Sequence, residues 1–430
     1  MAWNSPAIKS HPLKVQARRK LGRNHFAPQP RLRENSPRTV HSPTSPALPP
    51  DNERSRRCWA EIDLEALRHN VAAVRSQVGP HVQVMAVVKA NAYGHGVAEV
   101  AKALCDRVEM LAVANVTEAL ELRESVAALP IFILGPALPC ERPSIVEAGF
   151  IPAVSSYEEA AAYSALATGA PIAVHLALDT GMGRIGVWHS EIAETLTAIQ
   201  SLTGVVITGI GSHLPVADED EAFTQEQLSL FSEIARTAAP DAVTHVHNSA
   251  GIIGFAAQSG GMVRAGLMLY GSAPIAEFQA RVRAVMTWKT RITLIRDVGP
   301  GRGISYGRTY ITDRPMRIAT LAVGYADGYQ RSLSNRGAEV LIRGMRCPVL
   351  GRVTMDQIMV DASSVPDAQA CEEVVLIGRQ GSEEILAAEL ATKAGTIAWE
   401  IFTGVGRRVD RFTVSTPTAG TQPDAQPVVE

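Results

Sequence analysis

Long apolar runs are missing from this chain, and so is any pattern of paired cysteines. No stretch of the 430 residues approaches the length of about 20 apolar residues that a bilayer-spanning helix requires, so no transmembrane segment is expected. The five cysteines (Cys58, Cys105, Cys140, Cys347, Cys371) are scattered and show no Cys-x-x-Cys spacing. That excludes a disulfide framework or a thiolate zinc site as an organising feature, and it fits a reducing, cytoplasmic compartment. An excess of one charge is lacking too. With a net charge of −2, the chain as a whole offers no argument for a nucleic-acid or membrane partner.

What charge there is lies unevenly. Residues 1–57 hold twelve Lys/Arg against three acidic residues, a net of +9, which leaves about −11 for the remainder. This leader is rich in Pro, Ser and Asn, has almost no apolar periodicity, and is expected to be disordered. It lacks the apolar core of a secretory signal. A basic targeting leader, a nucleic-acid tail and a mistaken upstream start all remain open for it. The Thr-, Pro- and Gln-rich tail at 415–430 is expected to fray.

Between these ends the pattern predicts two domains. Eight short apolar runs alternate with helical patterns: Val82–Val88, Leu111–Ala114, Ile131–Leu134, Ile151–Val154, Ile172–Leu178, Val205–Ile210, Val243–His247 and Met262–Gly266. Asp63 is placed to cap a helix striped by Leu64, Leu67, Val71 and Val74, and Ser156–Thr168 and Asp218–Ala239 fit crossover helices. Eight strand–helix units predict a (β/α)8 TIM-type barrel over 58–284. From there the texture changes to short strands separated by Gly, Pro and Asn turns, predicting a mostly β domain over 285–414 in which only Ile385–Ala394 reads as helix.

The most informative stretch is AVVKANAYGHG, Ala86 to Gly96. A buried apolar strand ends in Lys89, and burial there would lower the pKa of the amine and suit it to Schiff-base chemistry. A lysine snorkelling from a strand end reads the same way from spacing alone. Further candidates fall at later strand ends, where barrels present their chemistry. Arg184 lies on the glycine-rich loop LALDTGMGRIG, His213 in GSHLP, Asn248 and Ser249 in HNSAG, and Arg264 in MVRAGLMLYG. Asn248–Ser249 could cap the next helix. Ser249 with the backbone N–H groups of Gly266 and Leu267 would equally suit a phosphate.

VVKANAYGHG resembles the pyridoxal-phosphate lysine motif of alanine racemases, and the similarity runs from about Trp59 to Arg411. The resemblance implies that Lys89 carries pyridoxal 5'-phosphate. Tyr93, His213, Asn248, Ser249, Arg264, Gly266 and Leu267 would then surround the cofactor, with Arg264 facing its pyridine nitrogen and Ser249, Gly266 and Leu267 holding its phosphate. A guanidinium only donates, so that nitrogen would stay unprotonated and racemisation would be favoured over transamination. The resemblance also implies a homodimer with shared active sites. Tyr306 of SYGRTY would be the second base, lent to the opposite subunit and tuned through His213 and Arg264, while Tyr325 and Met355 would shape the substrate end. The implied activity is interconversion of L- and D-alanine, supplying D-alanine for peptidoglycan.

Two positions depart from the family pattern. Where many members have a carbamylated lysine seven residues before the loop arginine, this chain has Ala177. The expectation is a small anion such as chloride beside Ala177 and Arg184, with His175 and Asp179, on the same side of the strand, as the other candidate partners. Where the family often has tyrosine, Trp399 stands, still able to donate one hydrogen bond to the phosphate or else simply packed in a core. A broad-specificity amino-acid racemase is therefore the alternative. A decarboxylase on the same plan and a non-enzymatic cofactor-binding protein are further ones.

Overall fold

The computed structural model describes residues 56–414 apart from 239 and 257–259, so the basic leader up to residue 55 and the tail from 415 lie outside the described residues. Eight parallel strands form the barrel: β2 (Gln83–Val87), β3 (Met110–Val113), β4 (Ile131–Ile133), β5 (Ile151–Val154), β6 (Ile172–Asp179), β8 (Val205–Gly211), β9 (Val243–His245) and β10 (Met262–Ala265), with a two-residue strand β7 (Val187–Trp188) beside the end of β6. They pair in the order β10-β2-β3-β4-β5-β6-β8-β9. The Arg264 N–H donates to the His247 carbonyl at 2.9 Å and closes the ring between β10 and the end of β9. β3, β4 and β10 are buried at every position, which is why they read as unbroken apolar runs rather than alternating ones. Helix 64–78 begins as expected, the Asp63 carboxylate accepting from the Glu65 and Ala66 N–H groups.

The second domain is built on a nine-stranded sheet. Its members are β11 (Met286–Val298), β14 (Met316–Leu321), β15 (Glu339–Ile342), β16 (Met345–Leu350), β17 (Ile358–Asp361), β18 (Glu373–Gln380), β19 (Glu383–Ile385), β20 (Asp410–Val414) and the first strand of the described chain, β1 (Cys58–Asp63). A separate hairpin pairs β12 (Gly303–Ile304) with β13 (Tyr310–Ile311).

Three expectations need correction. Strand β1, assigned with the barrel in the 58–284 boundary, lies between β11 and β20, antiparallel to one and parallel to the other. The segment CWAEID buries Trp59, Ala60 and Ile62 there. Arg56 and Arg57, counted with the leader, are ordered against the same sheet, their carbonyls accepting from Arg291 Nε and Thr290 Oγ1. Finally, the second domain has two helices, Ala387–Ala394 and Ala398–Gly404, not one. The second carries Trp399 and packs on the loop that follows Lys89, where a Cβ on Gly94 would sit 2.3 Å from the Phe402 carbonyl oxygen.

Candidate active site

Lys89 leaves β2 into a turn that the sequence reads as a plain loop. Ala90, Asn91, Ala92 and Tyr93 all have φ between 52° and 55°, a complete left-handed turn without glycine. Each such residue costs about 1–2 kcal/mol, so neighbours must hold the turn. The Glu118 carboxylate accepts from Ala90 N–H and Ala114 N–H, both at 2.8 Å, tying the turn to the end of β3. Asn91 Oδ1 accepts from Val97 N–H at 2.7 Å, and Arg411 Nε donates to the Gly94 carbonyl at 3.0 Å. The buried His95 ring lies against Tyr270 and Phe402. This frame delivers the Lys89 amine into a cavity of about 420 Å³ at the C-terminal mouth of the barrel. Burial first, then the Arg184 and Arg264 charges, lower its pKa, opposed by Glu118.

Across the cavity Arg264 is held from several sides. Its Nη1 donates to His245 Nδ1 at 3.0 Å and to the His245 carbonyl, and its Nη2 to His213 Nδ1 at 3.0 Å and to the carbonyls of Ser212 and Val246. These bonds use the terminal N–H groups, leaving the Nε–H as the remaining donor of a buried guanidinium. Burial pulls Arg264 down to about 10, so it stays charged near neutrality. Because Nδ1 of His213 and of His245 accepts, each ring carries its proton on Nε2. His245 passes that proton toward His175 Nδ1 at 2.9 Å, over the Phe132 ring. Burial, reinforced by Arg264, holds His213 down at about 3 and His245 well below its ordinary value, so both are neutral. His245 was not among the sequence candidates. Its signal was there: His245 lies in the apolar run Val243–His247, at the end of a barrel strand.

At the other end of the cavity Ser249 Oγ accepts from Gly266 N–H at 3.2 Å and Met268 N–H at 3.4 Å. A Cβ on Gly266 would lie 2.8 Å from Tyr93 Oη, so only glycine lets these groups converge. Tyr93 stacks on Tyr270, Trp399 lines the same cavity, and burial pushes the Tyr93 phenol up to about 12. Leu267 also lines this end. Asn248 does what a cap does: Oδ1 accepts from Gly251 N–H, and Nδ2 donates to the Leu214 carbonyl.

Arg184 lines the same cavity from the loop after β6. Gly186, at φ +110°, permits that loop, since a Cβ there would meet the Leu178 carbonyl carbon at 2.7 Å. Of the two partners expected for Arg184, Asp179 contacts only its backbone N–H, at 3.2 Å, along with Gly181 N–H. His175 makes its bond to His245 instead. Ala177 lines the cavity with a methyl group only.

Tyr306, Tyr325 and Met355 do not reach this cavity within one chain. They are 70%, 42% and 52% exposed. All three gather around the Gly351–Gln357 loop. Ser305 Oγ, beside Tyr306, donates to the Arg352 carbonyl, Tyr325 N–H donates to Thr354, and Ala326 N–H donates to Met355.

A frame-held amine, a buried guanidinium and a small glycine–serine–tyrosine cradle thus meet at the C-terminal mouth of a barrel fused to a β domain, the architecture of a barrel enzyme with its chemistry at the strand ends. Residues 62–274 match the family description "Alanine racemase, N-terminal domain" and residues 285–413 match "Alanine racemase, C-terminal domain". The chain belongs to the alanine racemase family. It is 44% identical over 369 residues to an alanine racemase of Halothermothrix orenii, covering 83% of this chain and 97% of that one, and 42% identical to one of Symbiobacterium thermophilum, covering 84% and 98%. Among solved structures, an alanine racemase of Clostridium difficile 630 is similar with a TM-score of 0.78 at 35% identity, covering 84% of this chain and 96% of that one. One of Bartonella henselae, described with covalently bound pyridoxal phosphate, gives 0.76 at 29% identity, covering 84% and 100%. Among the described residues no helix is long and apolar enough to cross a membrane.

Proposed function

We infer that this chain interconverts L- and D-alanine with pyridoxal 5'-phosphate, as a cytoplasmic homodimer whose two active sites each draw on both subunits. The observation that carries the reading is that one cavity holds a deprotonatable lysine, a cradle of donors with no room for a Cβ, and a buried arginine with one donor to spare. The residues fit the cofactor. Lys89 would bind it covalently, Ser249 with the Gly266 and Leu267 N–H groups and Tyr93 would hold its phosphate, and Arg264 Nε would face its pyridine nitrogen. When bound, the cofactor makes the α-hydrogen of an attached amino acid acidic.

The residues of the chain then handle the proton. Lys89 Nζ serves the α-hydrogen of D-alanine from one face. The partner subunit's Tyr306 serves that of L-alanine from the other. A phenol is a poor base at neutral pH, and the neutral His213, whose Nδ1 accepts from Arg264 and whose Nε2–H has no partner among the described residues, would stabilise phenolate. Arg184 supplies the charge for the substrate carboxylate, and Tyr325 and Met355 of the partner close the substrate end. The D-alanine formed serves peptidoglycan synthesis.

The methyl group at Ala177 favours a second reading on specificity. With no anionic side chain there to orient Arg184, a small anion such as chloride takes that place, and the site accepts amino acids beyond alanine. Trp399 limits that range to small side chains. L-Alanine in deuterated water should gain deuterium at Cα as its optical rotation decays, and Lys89→Ala should abolish both. Release of carbon dioxide, or no exchange, would overturn the assignment. A panel of L-amino acids, with halide varied, decides between the strict and broad readings.

A further inference from the structure

We propose that Arg408 is a positioning residue that sets the substrate end of the partner's active site. The proposal rests on the shared-site reading above. Arg408 follows the Trp399 helix in sequence, yet its side chain bonds elsewhere. Both Nη1 and Nη2 donate to Asp356 Oδ1 at 2.9 Å, and Nε donates to Asp327 Oδ1 at 3.0 Å. Asp356 is the residue after Met355, and Asp327 lies two residues after Tyr325. One guanidinium therefore bridges the two loops whose tips carry the substrate-end side chains.

The rest of the junction is held by backbone bonds and close packing, and Arg408 is the side chain that joins its two loops. Asp327 is buried; its Oδ2 accepts from Gly324 N–H at 2.9 Å and its carbonyl from Gly406 N–H at 2.8 Å. A Cβ on Gly328 would lie 2.2 Å from the Gly404 carbonyl oxygen, so the Tyr325 loop is pressed backbone to backbone against the end of the Trp399 helix. The Met355 loop meets the Tyr325 loop through the Tyr325 N–H to Thr354 and Ala326 N–H to Met355 bonds, and among the described residues the Asp356 carboxylate bonds only to Arg408. The Asp356 and Arg408 side chains are 57% and 52% exposed. An ion pair that open to solvent does little for stability. What it fixes is direction: a planar fork holds two carboxylates at a set angle, which a point charge does not.

Because Tyr325 and Met355 serve the neighbouring site, Arg408 should act in trans. The test uses heterodimers of Lys89→Ala and Tyr306→Phe chains, in which the single intact site takes its lysine from the Tyr306→Phe chain and its tyrosines and Met355 from the other. Recovery of activity by this parent pair first establishes the shared site; no recovery would overturn that reading and the proposal with it. Arg408→Met is then added to one chain at a time. On the Lys89→Ala chain it should raise KM for alanine roughly tenfold, a displacement of about an ångström being enough, with kcat changed less than about threefold. On the Tyr306→Phe chain it should change neither constant, which also shows that the variant folds and pairs. Arg408→Lys on the Lys89→Ala chain should recover part of the KM. Equal effects from both placements, a fall in kcat with KM unchanged, or no effect from either would each overturn the assignment.

Discussion

The barrel mouth and the Tyr306–Tyr325–Met355 face place functional side chains by opposite means. At the mouth the principal groups are held by bonds within the chain, Arg264 by two imidazoles and three carbonyls and the turn after Lys89 by clamps on both sides. On the other face the backbone loops are fixed but the side chains stand in solvent. The difference teaches that one group of side chains is gathered within a single chain, whereas the other stands free of it, which is what the proposed sharing of sites between two subunits requires.

Lys89→Ala should produce the largest change. Steady-state racemisation should drop by at least about a thousandfold, consistent with the loss of a positioned base that also anchors the cofactor, while thermal unfolding stays within a few degrees of the parent. Arg264→Leu should cost both activity and fold. It strips donors from two buried imidazoles and three carbonyls, and at about 1 kcal/mol or more for each buried unpaired acceptor chemical denaturation should show a loss of order 3 kcal/mol or more. Met355→Ala and Tyr325→Phe should separate the two regions most cleanly. Exposed positions of this kind change stability by within about 0.5 kcal/mol, yet KM should rise severalfold. A large loss of stability in these two would break the comparison.

Acid sensitivity should follow the same division. Every histidine in the chain precedes residue 248, so none lies in the second domain beyond β1. Burial holds His95 and His175 at about 4 and His245 well below its ordinary value, against about 6.5 when unfolded. Between those values the unfolded chain binds more protons than the folded one, so stability is complete above about pH 6.5 and is lost as pH falls toward 4. Thermal unfolding followed from pH 7 to pH 4 should show this decline, and His175→Leu should flatten part of it. A melting temperature that held constant over that range would contradict the burial account.

The sequence was most legible where local pattern and tertiary role coincide. The barrel strands β3, β4 and β10 show as apolar runs because both their faces are covered. Lys89, Arg184, Ser249 and Arg264 show because they sit at strand ends, and the family resemblance then gave them roles. Legibility failed where the decisive contact is remote. β1 pairs with residues more than two hundred positions away, so CWAEID could be read only as the approach to a helix. Apart from Asn91, the Ala90–Tyr93 turn uses residues with no intrinsic preference for positive φ, and it is held by Glu118 and Arg411. Arg408 carries no local signal, since its partners Asp327 and Asp356 lie 81 and 52 positions away.

The central claim is that the lysine and the tyrosine of one active site come from different chains. Its most direct measurement mixes inactive Lys89→Ala and Tyr306→Phe proteins, dissociates and re-pairs them, and assays racemisation. Random pairing puts one intact site in about half of the dimers, so about a quarter of wild-type activity should return. Activity that stays at the level of the separate variants, although mixed dimers have formed, would contradict the account.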